Sequence, residues 1–157
     1  MENIRLEFYQ EQYRQELEQF ELEEEQEKFT APPSRVFDTL QDSNRHFTLI
    51  LRGEKAVGYF VLHEKEGPIE IGSHAQALLI RALAINKTEQ RKGYALAAMT
   101  LLPDFVRRQF TDITELVLIV NHANLPAQRL YQKAGFTDTG IRRNGKIGLQ
   151  YIFHRIL

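Results

Sequence analysis

Gln90-Arg91-Lys92-Gly93-Tyr94-Ala95 is the stretch of this chain whose residue types best suit ligand chemistry. An apolar run, Ala77 to Ile85, leads into a short polar loop, and the loop leads into a helical pattern that starts near Gly93. The first turn of a helix carries N–H groups without intrahelical acceptors and the positive end of the helix dipole, so it attracts phosphate. Gly93 lets a bulky anion approach the backbone, and Arg91 and Lys92 add charge beside it. On these residues alone the segment reads as an anion-binding turn of unknown ligand, or as a capped helix with two solvated cations. It is not a Walker loop, because no G-K-[S/T] follows. Nor is it a dinucleotide fingerprint, which needs three spaced glycines.

A second segment starts at Asn124. Asn124, Ala127, Tyr131 and Ala134 recur at helical spacing and share one face. That face has an amide at its start, small residues along it and a phenol near its end. It either lines a narrow groove or belongs to an ordinary amphipathic helix in which Tyr131 only packs. Metal chemistry has little support. Cysteine is absent, which excludes thiolate zinc sites, disulfides and a cysteine nucleophile. His46, His63, His74, His122 and His154 are scattered, with no H-E-x-x-H pair, so no metal is expected.

The elements that must position these segments follow from hydrophobic periodicity. Asn3 to Tyr9 alternates as a half-buried strand, and Glu11 to Phe29 shifts toward a glutamate-rich helix that Ala31-Pro32-Pro33 breaks. Ser34 caps a short second helix ending near Asp42. His46 to Leu51 and Ala56 to His63 form a hairpin through Arg52-Gly53-Glu54-Lys55, and 64–72 reads as a loop or a ragged strand extension. Ala77 to Ile85 and Leu116 to Val120 are apolar enough for strands covered on both faces. Between them lies a helix in which Pro103 should produce a kink or a split. Asn124 as N-cap, Pro126 in the first turn and Gly135 as the stop punctuate a helix over 125–134. Two last strands flank Asn144-Gly145, a favoured turn pair. The result is a mixed α/β layout around a sheet of about seven strands with about four helices.

The chain has 157 residues and a formal charge of −1, with 43% hydrophobic and 26% charged residues. That length suits one domain spanning 1–157. The charge lacks the basic footprint of a nucleic-acid binder. No apolar run approaches the roughly 18 residues that span a bilayer. Met1-Glu2-Asn3-Ile4-Arg5 lacks a signal-peptide layout, so a cytoplasmic location is expected, with neither nucleic acid nor membrane as partner.

Taken together, the two segments resemble one family. Gln90 to Ala95 (Q-R-K-G-Y-A) is similar to the Q/R-x-x-G-x-G/A motif of the GCN5-related N-acetyltransferases, the GNAT family. Asn124 to Phe136 (N-L-P-A-Q-R-L-Y-Q-K-A-G-F) resembles that family's N-x-x-A-x-x-L-Y-x-x-x-G-F motif. The resemblance implies a mixed, mostly antiparallel seven-stranded sheet whose fourth strand is bulged and splayed from the fifth. It also implies acetyl-CoA as co-substrate. The backbone of Leu83, Ala84 and Ile85 would meet the pantetheine arm, and Gln90, Arg91, Lys92, Gly93, Tyr94 and Ala95 would cradle the pyrophosphate. Asn124 and Ala127 would border the arm, and Tyr131 would sit near the sulfur as the catalytic acid. Lys87 stands where the family often has proline, and Ala95 closes the motif in place of glycine.

With no cysteine, direct transfer to a primary amine is expected, the acceptor being a small amine or a polyamine. Acetylation of a protein N-terminus or lysine is an alternative, and so is a silent acyl-CoA sensor. Homodimers are common among such relatives. His63, Glu64, Glu70 and His74 are candidate general bases. Arg81 interrupts a buried strand, so its charge should face a cleft or a carboxylate. Arg142, Arg143 and Lys146 form a protected edge turn, or touch an acidic substrate or the cofactor's ribose phosphate. The glutamates of the first helix are a solvated face or a lure for polycations.

Overall fold

A computed structural model describes residues 3–157. Met1 and Glu2, the head of the segment read for a signal layout, lie outside the described residues. The strands are β1 (Ile4–Phe8), β2 (Arg45–Arg52), β3 (Lys55–His63), β4 (Ala77–Ile85), β5 (Glu115–Asn121), β6 (Thr137–Gly145) and β7 (Gly148–Ile156). The helices are α1 (Arg14–Glu18), α2 (Glu24–Glu27), α3 (Pro33–Phe37), α4 (Glu66–Glu70), α5 (Tyr94–Gln109) and α6 (Leu125–Lys133). All seven strands join one sheet in the order β1-β2-β3-β4-β5-β7-β6. Every neighbouring pair is antiparallel except β4 with β5, which are parallel. Parallel neighbours need a long crossover, and α5 supplies it.

The two faces of the sheet carry different helices. Leu62, Leu78, Ile80 and Leu118 face one way and pack with Met99, Leu102 and Val106 of α5 and with Tyr131 and Phe136. The opposite face sets Leu49, Leu51, Tyr59 and Val61 against Tyr13, Leu17, Val36 and Phe37. Farther along it, Leu79, Val117 and Ile152 pack with Ile71. The alternation of side chains along each strand produces this division. Among the described residues no helix is long and apolar enough to cross a membrane.

Several expectations are corrected. The helix expected over 11–29 is broken into α1 and α2, with residues 19–23 outside any helix. Tyr13 and Leu17 are its buried anchors, whereas α2 buries nothing. The spacing of Glu21 with Glu25 and of Glu23 with Glu27 also places like charges four apart, which weakens a continuous helix. The short helix starts at Pro33 and ends at Phe37, earlier than the Ser34–Asp42 expectation. The stretch read as a loop holds α4. Pro103 is buried and α5 runs through it without splitting, because Met99, Leu102, Phe105 and Val106 clamp both sides against the sheet. The last hairpin turns at Lys146-Ile147, with Gly145 paired to Gly148, so Asn144-Gly145 lies within the strand. Gly148, at φ +112°, supplies the left-handed residue there. These corrections bring the helices to six among the described residues.

Gly58 of β3 has no room for a side chain. A Cβ there would lie 2.6 Å from Ile85 Cδ1 and 2.7 Å from the carbonyl oxygen of Ala84. Overpacking of this kind costs about 1–3 kcal/mol. Gly58→Ala should therefore lower the melting temperature by roughly 3–10 °C. A melt unchanged from wild type would show that the end of β4 is free to shift.

Candidate active site

The site is built where β4 and β5 separate. They pair only from Ala77 with Glu115 to Ile80 with Leu118. Beyond that point β4 stays with β3 (Tyr59 with Ala84, Gly58 with Ile85), and β5 stays with β7 as far as Asn121. The cause is a bulge. Between the pairs Tyr59–Ala84 and Val61–Arg81, β4 has two residues, Ala82 and Leu83, opposite Phe60 alone. Ala82 takes φ +58°, a strained conformation for a residue with a Cβ. The extra residue bends β4 away and leaves two facing strand edges whose peptide groups have no ladder partner across the gap. Leu83, Ala84 and Ile85 form the β4 edge of this fork.

From Ile85 the chain passes through Asn86 and a 3-10 turn, Lys87–Glu89, into the start of α5. Arg91 at φ +62° and Gly93 at φ +82° make the turn, and Gly93 caps the helix without any side-chain bond to its amides. Left-handed residues alternating with ordinary ones aim successive N–H groups at one point, which suits an anion. A depression of about 220 Å³ lies here, bordered by Ile85, Gln90, Gly93, Tyr94, Ala95 and Leu130.

The side chains of this loop are largely committed to the protein itself. Gln90 donates to the Ile85 carbonyl and to the Gln26 side chain. Arg91 reaches Glu23 at 3.4 Å, and Lys92 reaches Glu89 at 3.4 Å. The main-chain amides are therefore the groups left to meet a ligand. Glu89, only 4% exposed, is the hub. It accepts from Arg52 at 2.6 Å and from Lys55 at 3.1 Å, and Arg52 also donates to the Tyr94 hydroxyl at 2.8 Å. This cluster ties the turn to the β2–β3 hairpin.

Opposite the turn stands α6. Asn124 caps it, accepting from the Ala127 amide at 3.3 Å. Asn121 holds the preceding bend, accepting from Ala123 and donating to the Ile147 carbonyl. Tyr131 is buried, edge-on to Phe136 at 5.8 Å between centroids. Its hydroxyl has no hydrogen-bond partner among the described residues, and burial pushes its pKa well above the usual tyrosine value. Such a group keeps its proton at neutral pH. Tyr131, Tyr94 and Ile85 belong to one apolar cluster, with Ala95 and Ala127 packed against it, so the fold brings both motifs to one side of the fork.

The candidate bases fare unequally. His63 is buried, with Nδ1 3.1 Å from Arg81 Nη1 and Nε2 3.0 Å from Glu66. Arginine only donates, so Nδ1 accepts and the ring proton sits on Nε2, directed at Glu66. Both nitrogens are occupied, which leaves His63 no free lone pair. Glu64 is bound to His46 and His74 to Glu115, and both lie beyond the paired end of β4, away from the gap. Glu70, exposed on α4, acts on Arg81 only through its charge. Asp42, His63 and Glu66 lie close enough together for a metal, but Arg45 and Arg81 beside them oppose a cation.

Sequence reasoning missed Glu89, Arg52 and Gln26. A carboxylate among cations in a polar loop reads as solvated, and only the folded chain shows its burial. Burial raises the Glu89 pKa, but the hydrogen bonds from Lys55 and Arg52 outweigh it and hold the carboxyl below its ordinary value. Its stabilisation is therefore complete above about pH 4.5 and is lost as pH falls through the folded value. Glu89→Gln should melt below wild type at pH 6, and the gap should narrow as pH falls below about 4.5. A gap that stays constant through the acid range would mean the carboxylate's charge is not what fastens the turn.

Known proteins fit this geometry. A model described as the acetyltransferase (GNAT) family matches residues 6–136. "Uncharacterized N-acetyltransferase YbbJ" of Bacillus subtilis (strain 168) is 39% identical over 158 residues, covering 99% of each chain. Among solved structures, AAC(6')-Ib in complex with parmomycin and acetyl-CoA superposes with a TM-score of 0.80 at 15% identity, covering 99% of this chain and 94% of that one. Spermidine N-acetyltransferase from Vibrio cholerae, in complex with CoA and spermine, gives 0.72 at 15% identity, over 98% and 95%. At that identity the two structures speak for the fold, including the mixed sheet. The match to the family model and the YbbJ relative reach further: the chain belongs to the acetyltransferase (GNAT) family and is an N-acetyltransferase.

Proposed function

We propose that this chain transfers an acetyl group from acetyl-CoA directly to a small primary amine, with both substrates bound at once. One observation carries the reading: the strand that opens the fork, β4, is the same strand that leads into the left-handed turn before α5. An anion seated on that turn has the gap between β4 and β5 directly beside it. The peptide groups of Leu83 to Ile85, past the last β4–β5 pair, suit the amide groups of a pantetheine arm. The residues present fit the co-substrate, since small side chains at Gly93 and Ala95 leave the first helical turn open. Spermine is bound in one structural neighbour and kanamycin in another, and both are small amines.

In this reading an amine loses a proton before it attacks, since an alkyl amine near pKa 10 is mostly protonated at neutral pH. A β4 amide holds the carbonyl oxygen of the thioester as charge develops on it. Tyr131 gives its hydroxyl proton, or a hydrogen bond, to the departing sulfur. The absence of cysteine agrees with direct transfer, although other nucleophiles exist in the chain.

Two substitutions test the arrangement. Tyr131→Phe should reduce turnover by about tenfold or more, with coenzyme A affinity nearly unchanged. Equal turnover in thiol-release assays would remove the phenol from the mechanism. Gly93→Glu should abolish coenzyme A binding in calorimetry, because it sets bulk and negative charge on the phosphate turn. Retained affinity would move the cofactor to another part of the molecule.

A further inference from the structure

Arg81 is the first residue of β4 past its last pair with β5, so it marks the base of the fork. It lies opposite Val61, whose side chain belongs to the face covered by α1 and α3. Its guanidinium is therefore on the side away from α5 and α6, where the proposed co-substrate approaches. It is half-buried and donates to His63, which the donor pattern makes neutral. Among the described residues no carboxylate lies within ion-pair distance of it. Arg143 of β6 shares that condition: it is half-buried and has no carboxylate partner, while its neighbour Arg142 grips Asp138 through two contacts of 2.8 and 2.7 Å. A wide bulge, Thr139 to Ile141 opposite Ile152, reshapes β6 just before Arg143. Arg143 stands opposite Gln150, two residues before Ile152 in β7, and Ile152 packs on the face away from α5, so the Arg143 side chain lies on the same face of the sheet as Arg81. Burial, the charge of Arg45 and the charge of Arg143 hold the Arg81 pKa below the ordinary arginine value, against the pull of Glu70.

Half-buried cations that repel one another are unfavourable unless an anion joins them. We propose that the acceptor amine carries an oxyanion, a carboxylate or a phosphate, held by Arg81 and Arg143 on the face of the sheet opposite α5. The proposal rests on the transferase reading above and narrows its acceptor. Guanidinium forks suit planar or tetrahedral oxyanions and disfavour a polycation at the same place. With the oxyanion there, the amine points into the gap. Its nitrogen lone pair attacks the thioester carbonyl carbon, the C–N bond forms and the C–S bond breaks. The nitrogen gives up one proton and the sulfur gains one, leaving an acetamide and a free thiol.

Thiol release from acetyl-CoA tests this with matched acceptors: glycine against glycinamide, O-phosphoethanolamine against ethanolamine, and spermidine. The oxyanion member of at least one pair should exceed its neutral partner about tenfold in kcat/KM, the size of one good ionic contact. Which pair responds separates carboxylate from phosphate. The amide is the weaker base and so the readier nucleophile at neutral pH, which makes the glycine comparison stringent. Arg143→Gln, on an edge strand, should raise KM for the preferred oxyanion about tenfold and leave kcat and the neutral acceptors within about twofold. Arg81→Gln should act in the same direction if it folds. Turnover of spermidine or the neutral amines with no gain from an oxyanion would overturn this proposal and leave the transferase reading intact, as would an Arg143→Gln effect equal for both members of each pair. Thiol release from no acceptor in the panel, nor from a wider panel of peptides and amino sugars, would overturn both.

Discussion

The separation of β4 from β5 is the constraint from which the rest of this molecule follows. One additional residue at Ala82–Leu83 turns the upper half of β4 out of the ladder it shares with β5. Neither strand is stranded by this, because each keeps an antiparallel neighbour on its other side, β3 for one and β7 for the other. The sheet thus stays whole at both borders of the opening while losing pairing only across it. Unpaired backbone groups inside a fold require partners, and an elongated ligand with its own amides meets that requirement along the strand edge.

The turn at the head of α5 has a comparable economy. Its left-handed residues and open first helical turn concentrate positive potential, and the nearby side chains keep that turn in place without covering it. Glu89 gathers Arg52, Lys55 and Lys92. One carboxylate among three cations leaves the neighbourhood positive, which favours a bound diphosphate through the local field even where no side chain touches it. Gln90 and Arg91 tie the same turn to α2 and the residue before it. Glu23 thereby acquires a structural use, while Glu24, Glu25 and Glu27 of α2 form a solvated face.

Division of the sheet into two faces separates the chemistry. On the α5–α6 side lie Tyr131, Tyr94 and the apolar cluster that shields the phenol. On the other lie His63, bound to Glu66 of α4, and Arg81, which meets no carboxylate at ion-pair distance among the described residues. The gap connects the two. In the proposed reaction a thioester would approach from one face and an amine from the other, meeting where no continuous strand pairing blocks them.

Much of this was readable from residue order, and the reasons are local. Apolar runs at 77–85 and 116–120 announce doubly covered strands, Asn124 with Pro126 and Gly135 punctuates a helix, and the spacing within Gln90–Ala95 and Asn124–Phe136 carries the family resemblance. Such signals depend on neighbours three or four residues away. The long glutamate-rich helix and the Asn144-Gly145 turn were misjudged because propensity was overruled by which side chains reach the core and which glycine takes positive φ. The burial of Glu89, its links to a hairpin more than thirty residues earlier, the engagement of both His63 nitrogens and the placing of Arg81 and Arg143 on one face of the sheet arise only when distant strands are brought together. Periodicity alone determines which segments fold into strands and helices. What stands across a gap from a given charge is decided by strand order and bulges, because those set distances that no stretch of sequence contains.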